Sequence, residues 1–471
     1  MNFTTLRFLG AVAVLALVYR AVPSRFRGGL LLLASYAYCC FDGRIAVAIL
    51  ASVTAISFAA AIGIERLAEE SASRRVLFTG SVLLLLSPLL FFKLRPTHLR
   101  HIALPLGLSY YTFKLISYVT DVHWGKLKAE KSVSSLGVYA AFFPQILAGP
   151  VHRAKTFLPQ LAHPKAPAAP IVLAAVQRIL LGLFKKFVIA DSLAPVVNGV
   201  WGHLPQAAGA DVILAFYAFP VQLYADFSGL IDISIGVALL FGILSPENFN
   251  LPFFAATPSD FWRRWHITLA NWLGDYVFAP MRTATRNLEN LGLVISIVVT
   301  MLGIGLWHGF QWTYAVFGLY HAFLLCVDTL TQRMRKRYYA GHPWANRMSN
   351  GFGILYTFHA ICVSLVLFRA PNLTSAGEFL VRLIGAPLRI GTFSPDLRSS
   401  GRSIIVAFAA YAVAEVADWA RRRYPVAALL DSMPRWARWS LYSCTTVAAI
   451  DAIVTMFALN VVKNPFMYAV F

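Results

Sequence analysis

Apolar runs, each long enough or nearly long enough to cross a bilayer, follow one another along the whole chain. A spanning helix needs about 20 mostly apolar residues, and somewhat fewer where polar flanks reach the interface. By that rule helices are predicted over 5–22, 29–41, 44–63, 76–92, 171–190, 211–225, 291–307, 312–328, 351–368, 403–418 and 440–460. Segments 102–120, 134–148 and 229–243 are also apolar, but Pro, Gly, Asp or Gln interrupts them. They are expected to be short, tilted or re-entrant helices, which survive at membrane depth where protein or a water-filled cavity surrounds them. The length rule thus gives about 10 to 13 helices. Amphipathic two-residue alternation, the mark of an outer-membrane barrel, is absent, and no internal repeat is visible. The expected fold is all-α and polytopic, a single membrane domain in four stretches. N-terminal helices occupy 1–163, a Pro/Ala linker 164–170, a core 171–384, and C-terminal helices 385–471, whose first part (about 385–402) reads as a polar loop. Leu6–Val22 could pass for a signal peptide, but further spans follow at once, so it reads as a retained first helix.

Composition supports this picture. Hydrophobic residues make up 58% of the 471 and charged residues 13%, against roughly 25% charged in soluble domains; the mean hydropathy is +0.64. The net charge of +20 raises the question of nucleic acid. However, the basic residues do not form a stripe interleaved with aromatics. They fall in clusters between apolar runs: Arg20/Arg25/Arg27, Arg66/Arg74/Arg75, Lys185/Lys186, Arg333/Arg335/Lys336/Arg337 and Arg421/Arg422/Arg423. Such clusters mark cytoplasmic loops of membrane proteins, so the expected partner is membrane lipid and no nucleic acid. Cys39, Cys40, Cys326, Cys362 and Cys444 show no CxxC spacing, and neither a disulfide framework nor a metal site is expected.

Four segments carry polar groups where lipid-facing helices would not. Residues 258–280 predict a helix capped by Ser259 or Asp260, with Trp262, His266, Leu269 and Leu273 on one stripe and Arg263 and Arg264 beside it. An interfacial amphipathic helix with a satisfied histidine explains the same pattern. In Thr300–Phe310, Gly303, Gly305 and Gly309 bracket Trp307-His308. Glycine lets another backbone approach, and the histidine should face protein or a cavity. Gln222–Asp232 holds Asp226 and Asp232 in apolar surroundings, where pairing with Arg or Lys is the plain expectation. Residues 142–153, with Gln145 between Pro144 and Pro150, read as a broken helix or a connecting loop.

Taken in order, these strings resemble the membrane-bound O-acyltransferase family, in particular its bacterial alginate O-acetyltransferase branch. The resemblance is carried by PLGLSYYTFKLISYVTDVHWG (105–125), FFPQILAGPVHR (142–153), LFKKFVIAD (183–191), QLYADFSGLIDISIG (222–236), NFNLPFFA (248–255), SDFWRRWHITLANWLGDYVFAP (259–280), TMLGIGLWHG (300–309) and NPFMYAVF (464–471). Pro280 is followed by Met281-Arg282-Thr283, where the family usually has Leu-Gly-Gly. The resemblance implies helices around a central tunnel, with His308 and His266 near its middle, and a cell inner-membrane location. It also implies an acyl donor, acetyl-CoA or another thioester, arriving from the cytoplasm with no permanently bound cofactor. A separate secreted SGNH-type acetyltransferase and exopolysaccharide machinery would complete the relay.

Acyl transfer to a hydroxyl needs a proton acceptor and a donor to the tetrahedral oxyanion. Imidazole titrates near 6.5, so His308 is assigned general base and His266 orients the acceptor or stabilises the oxyanion. Arg263 and Arg264 suit donor phosphates or serve as interface anchors. Trp262, Trp307, Asp226 and Gln145 are further candidates for substrate contact. The competing readings are D-alanyl or other acyl transfer to a cell-wall polymer, a scaffold for a biosynthetic complex, and a transporter using Asp226, Asp232 and the histidines as an ion path.

Overall fold

In a computed structural model the chain is described over residue 3 and residues 5–94, 104–147, 149–386, 395–423 and 432–440, with isolated positions up to 454. Most of the expected span 440–460, the string 464–471 and residues 387–394 of the expected loop lie outside the described residues. Residues 395–402 of that loop are helical instead, as the start of the helix Pro395–Arg423. Among those described, the regular structure is helical and no strand occurs. Seven of these helices are long and apolar enough to cross a membrane.

Contacts divide the chain into two units: residues 1–179 with 230–246, and residues 180–229 with 247–471. The first begins with α1 (Leu6–Ala21), α2 (Ser24–Cys40), α3 (Arg44–Arg66), α4 (Ala72–Leu94) and α5 (Leu108–His123). Pro23, which has no N–H to continue a ladder, separates α1 from α2, and Gly43 at φ +107° separates α2 from α3. After α5 come α6 (Val133–Ala141), α7 (Phe143–Ile146), α8 (Ala154–Ala162) and α9 (Ala169–Phe184), the last passing into the second unit. The expected break in 142–153 is present: Phe142 at φ −45°, ψ 102° parts α6 from α7. Residues 164–168 of the Pro/Ala stretch have no regular structure, the Pro164 and Pro167 carbonyls accepting from Arg27 and Arg20, and residues 169–170 already belong to α9. Tyr19, Phe143 and Phe241 pack edge to face in this unit's core, at 5.4 and 5.6 Å between centroids.

The second unit contains a π-helical turn over Lys185–Ala190, then α10 (Asp191–Gly202) and most of α11 (Gly209–Leu240). Segments 211–225 and 229–243, expected as two elements, are one helix of 32 residues. Asp226 and Asp232 do not interrupt it because each is neutralised by a neighbour. Lys186 Nζ lies 2.8 Å from Asp226 and 2.9 Å from Asp191, and within the first unit Arg178 lies 2.6 Å from Asp232. Next come α12 (Pro258–Trp262), α13 (Ile267–Leu273), α14 (Ala279–Ala284), α15 (Glu289–His308), α16 (Trp312–Ala340), α17 (Pro343–Arg369), α18 (Leu373–Gly385) and α19 (Pro395–Arg423). Helices α15 and α16 form an antiparallel pair joined by residues 309–311. A Cβ on Gly305 would meet the Tyr314 carbonyl oxygen at 2.2 Å, and one on Gly318 would meet that of Met301 at 2.6 Å. Only hydrogen at these positions allows so close a crossing.

Candidate active site

The segment around His266 departs from the expected continuous helix. Thr257, rather than Ser259 or Asp260, caps α12: its hydroxyl accepts from the Asp260 N–H at 3.2 Å, with Pro258 in the first turn. The Ser259 N–H donates to the Asp328 carboxylate instead, at 3.1 Å. The helix stops at Trp262, and His266 sits in the left-handed region at φ 45°, ψ 49°, ahead of α13. The 3.6-residue stripe through Trp262, His266, Leu269 and Leu273 is therefore broken. The cause lies outside the segment. The Asn248 carbonyl accepts from Ile267 N–H at 3.0 Å, and Asn248 Oδ1 accepts from Thr268 N–H at 2.9 Å and Thr268 Oγ1 at 2.8 Å. Those bonds supply partners that a helical ladder would otherwise provide. A left-handed non-glycine residue carries local strain that its surroundings must hold in place, and such residues gather at functional sites.

His266 and His308 line one cavity within the second unit. His266 is fully buried, and burial pulls its imidazole down to about 3, so the ring is neutral at physiological pH. His308 is the last residue of α15 and half-buried. The Trp307 ring stands 6.2 Å from that of His266 and 4.6 Å from that of His308. Phe368 packs edge-on to His308 at 4.8 Å. The rest of the wall is mainly apolar, including Leu223, Ile304 and Leu365. A site of this kind excludes water and strengthens each electrostatic contact within it.

The other candidates are placed as follows. Trp262 lines the cavity, and its Nε1–H donates to His321 Nδ1 at 3.3 Å. Arg263 and Arg264 are not on the cavity wall; both pair with Asp260, at 3.4 and 2.8 Å, and Arg263 is largely exposed. Asp226 is engaged with Lys186. Gln145 belongs to the first unit, where its Nε2 bonds His152 Nδ1 at 3.2 Å and Ser245 Oγ at 2.8 Å.

Three polar residues of the site were not singled out from sequence: His321 and Ser364 on the cavity wall, and Asn248 behind His266. His321 carried a usable signal, an ionisable side chain within an apolar span. Asn248 carried none beyond its place in a quoted string, because its partner is 18 positions away. Among the described residues no cluster of three or more His, Cys, Asp or Glu is arranged to hold a metal ion.

Comparison with known proteins places the chain among acyltransferases. Residues 136–369 match the model of MBOAT, the membrane-bound O-acyltransferase family. The chain is 32% identical over 380 residues to the probable alginate O-acetylase of Azotobacter vinelandii, covering 76% of this chain and 73% of that protein. It is 36% identical over 289 residues to the probable alginate O-acetylase of Pseudomonas aeruginosa, covering 60% and 52%. The teichoic acid D-alanyltransferase of Bacillus subtilis is 30% identical over 325 residues, with coverage of 64% and 79%. With its apolar spanning helices and a relative matched over most of both chains, this multi-pass protein is an O-acyltransferase and belongs to the membrane-bound O-acyltransferase family.

Proposed function

We propose that the enzyme takes an acetyl group from a cytoplasmic thioester and delivers it for O-acetylation of an exported polysaccharide of the alginate type. The observation that carries the mechanism is the meeting of His266 and His308 on the wall of one mostly apolar cavity. The polymer class is supported by the similarity to probable alginate O-acetylases.

His308 accepts the proton of the acceptor hydroxyl as its oxygen attacks the thioester carbonyl. His266 donates a hydrogen bond to the developing oxyanion. As the tetrahedral intermediate collapses, the C–S bond breaks and the proton on His308 returns to the departing sulfur, so an ester and a thiol replace a thioester and an alcohol. A positioned base contributes about 10²–10⁴-fold, and an oxyanion donor in a dry site about 3–4 kcal/mol. The acceptor hydroxyl belongs to the polymer or to a secreted SGNH-type acetyltransferase that finishes the transfer.

His308→Ala tests the reading. Acetyl content of the exported polymer should fall to background while the protein stays at normal abundance in the membrane. Unchanged acetylation would remove His308 from the chemistry. Mass spectrometry of the acyl groups released from the polymer separates acetyl from D-alanyl transfer, the activity named for the Bacillus subtilis relative.

A further inference from the structure

Asn248 is fully buried behind His266, and its side-chain amide has two ends that chemistry distinguishes. A backbone N–H only donates, so the amide atom 2.9 Å from Thr268 N is the oxygen; the same oxygen takes the Thr268 hydroxyl at 2.8 Å. The amide nitrogen is then the other end, and it lies 3.2 Å from His266 Nδ1, nearer than the oxygen at 3.4 Å. An amide NH₂ carries donors and no acceptor. With this NH₂ as its nearer neighbour, an Nδ1 that accepts leaves the ring proton on Nε2.

We propose that Asn248 is a positioning residue that locks His266 as the Nε2–H tautomer, so that this histidine serves acyl transfer only as a hydrogen-bond donor. The backbone contributes to the same lock. The Asn248 carbonyl takes the Ile267 N–H at 3.0 Å, so one residue holds both the left-handed turn at His266 and the ring's protonation pattern. With His266 confined to donation, proton abstraction falls to His308. The inference rests on the catalytic reading above, but its structural half is measurable without any activity.

The test is nitrogen NMR of protein labelled with ¹⁵N at histidine, the His266 signals being assigned by their loss in His266→Gln. In the unaltered protein Nε2 should be protonated and Nδ1 bare, and the reverse pattern would overturn the lock. Asn248→Asp keeps an oxygen for Thr268 but presents a second oxygen to Nδ1, and the ring proton should move there. Acyl transfer should then lose about 10²–10³ in kcat, the usual cost of removing an oxyanion donor, with KM for the thioester unchanged. If Asn248→Asp leaves the tautomer as it was, Asn248 does not set it and the proposal fails. If the tautomer flips and kcat does not change, the lock stands and the oxyanion role of His266 is lost. Should the aspartate variant not reach the membrane, the pattern in the unaltered protein decides alone.

Discussion

At the scale of single residues, the two histidines differ in the company they keep. His266 is enclosed and held by an amide, whereas His308 is half-buried at a helix end among aromatic rings. Burial lowers the His266 pKa to about 3, well below the ordinary value near 6.5. Between those two values the unfolded chain binds a proton that the folded protein does not, so stability rises with pH there. His266 contributes fully above about 6.5, and its contribution is lost as pH falls toward 3, at up to about 1.4 kcal/mol per pH unit. Thermal unfolding of the detergent-solubilised protein should therefore show Tm falling from pH 7 to pH 5, with a smaller fall in His266→Gln. Equal slopes in the two proteins would mean that His266 titrates normally. Arg263, which follows the end of α12, pairs with Asp260 three residues earlier and keeps most of its side chain exposed.

At the scale of elements, the glycines before Trp307-His308 are not equivalent. The Gly305 Cα lies against the Tyr314 carbonyl, whereas a Cβ on Gly303 would meet nothing within 4 Å. Gly305→Ala must push α15 from α16 and move His308 at the end of α15, since backbone on the far side does not yield as a flexible side chain would. Overpacking of this kind costs about 1–3 kcal/mol, and a shift of about 1 Å in a catalytic group can cost 10²-fold in rate. Gly305→Ala should therefore lower both Tm and acyl transfer, while Gly303→Ala should leave both near normal. A Gly305→Ala protein of full activity would show that the α15–α16 crossing does not position His308. Helix α11 shows the opposite relation between sequence and element. Its carboxylates pair with an arginine and a lysine from outside the helix, as their apolar surroundings predict, and the helix runs unbroken where the sequence pattern suggests two elements.

At the scale of the whole molecule, apolar helices and basic connections set the topology. Helix α16 has 29 residues, about 43 Å at 1.5 Å per residue, against a hydrocarbon core of about 30 Å. Its end, with Arg333, Lys336 and Arg337 exposed, therefore projects beyond the apolar layer. Arg282 and Arg286 precede α15, whose antiparallel course puts them on the same side. An excess of Lys and Arg marks the cytoplasmic face, so residues 309–311 belong to the opposite face. In a variant lacking the native cysteines, Gln311→Cys should react with an impermeant maleimide added to intact cells, and Lys336→Cys only after permeabilisation. The reverse pattern would invert the path proposed for donor and acceptor.

Apolar run length and charge placement suffice for the membrane class, the helical fold and most spans, because a bilayer imposes one length and one periodicity on every crossing. The motif at Trp307-His308 and the histidine at 266 were legible for a related reason, polar chemistry standing out against lipid-like surroundings. Folding added what depends on partners distant in sequence. The break at His266 comes from Asn248, 18 positions earlier, the continuity of α11 from Lys186 and Arg178, and the third cavity histidine from the course of α16. No local pattern encodes a hydrogen bond or ion pair between segments that meet only once the chain is packed.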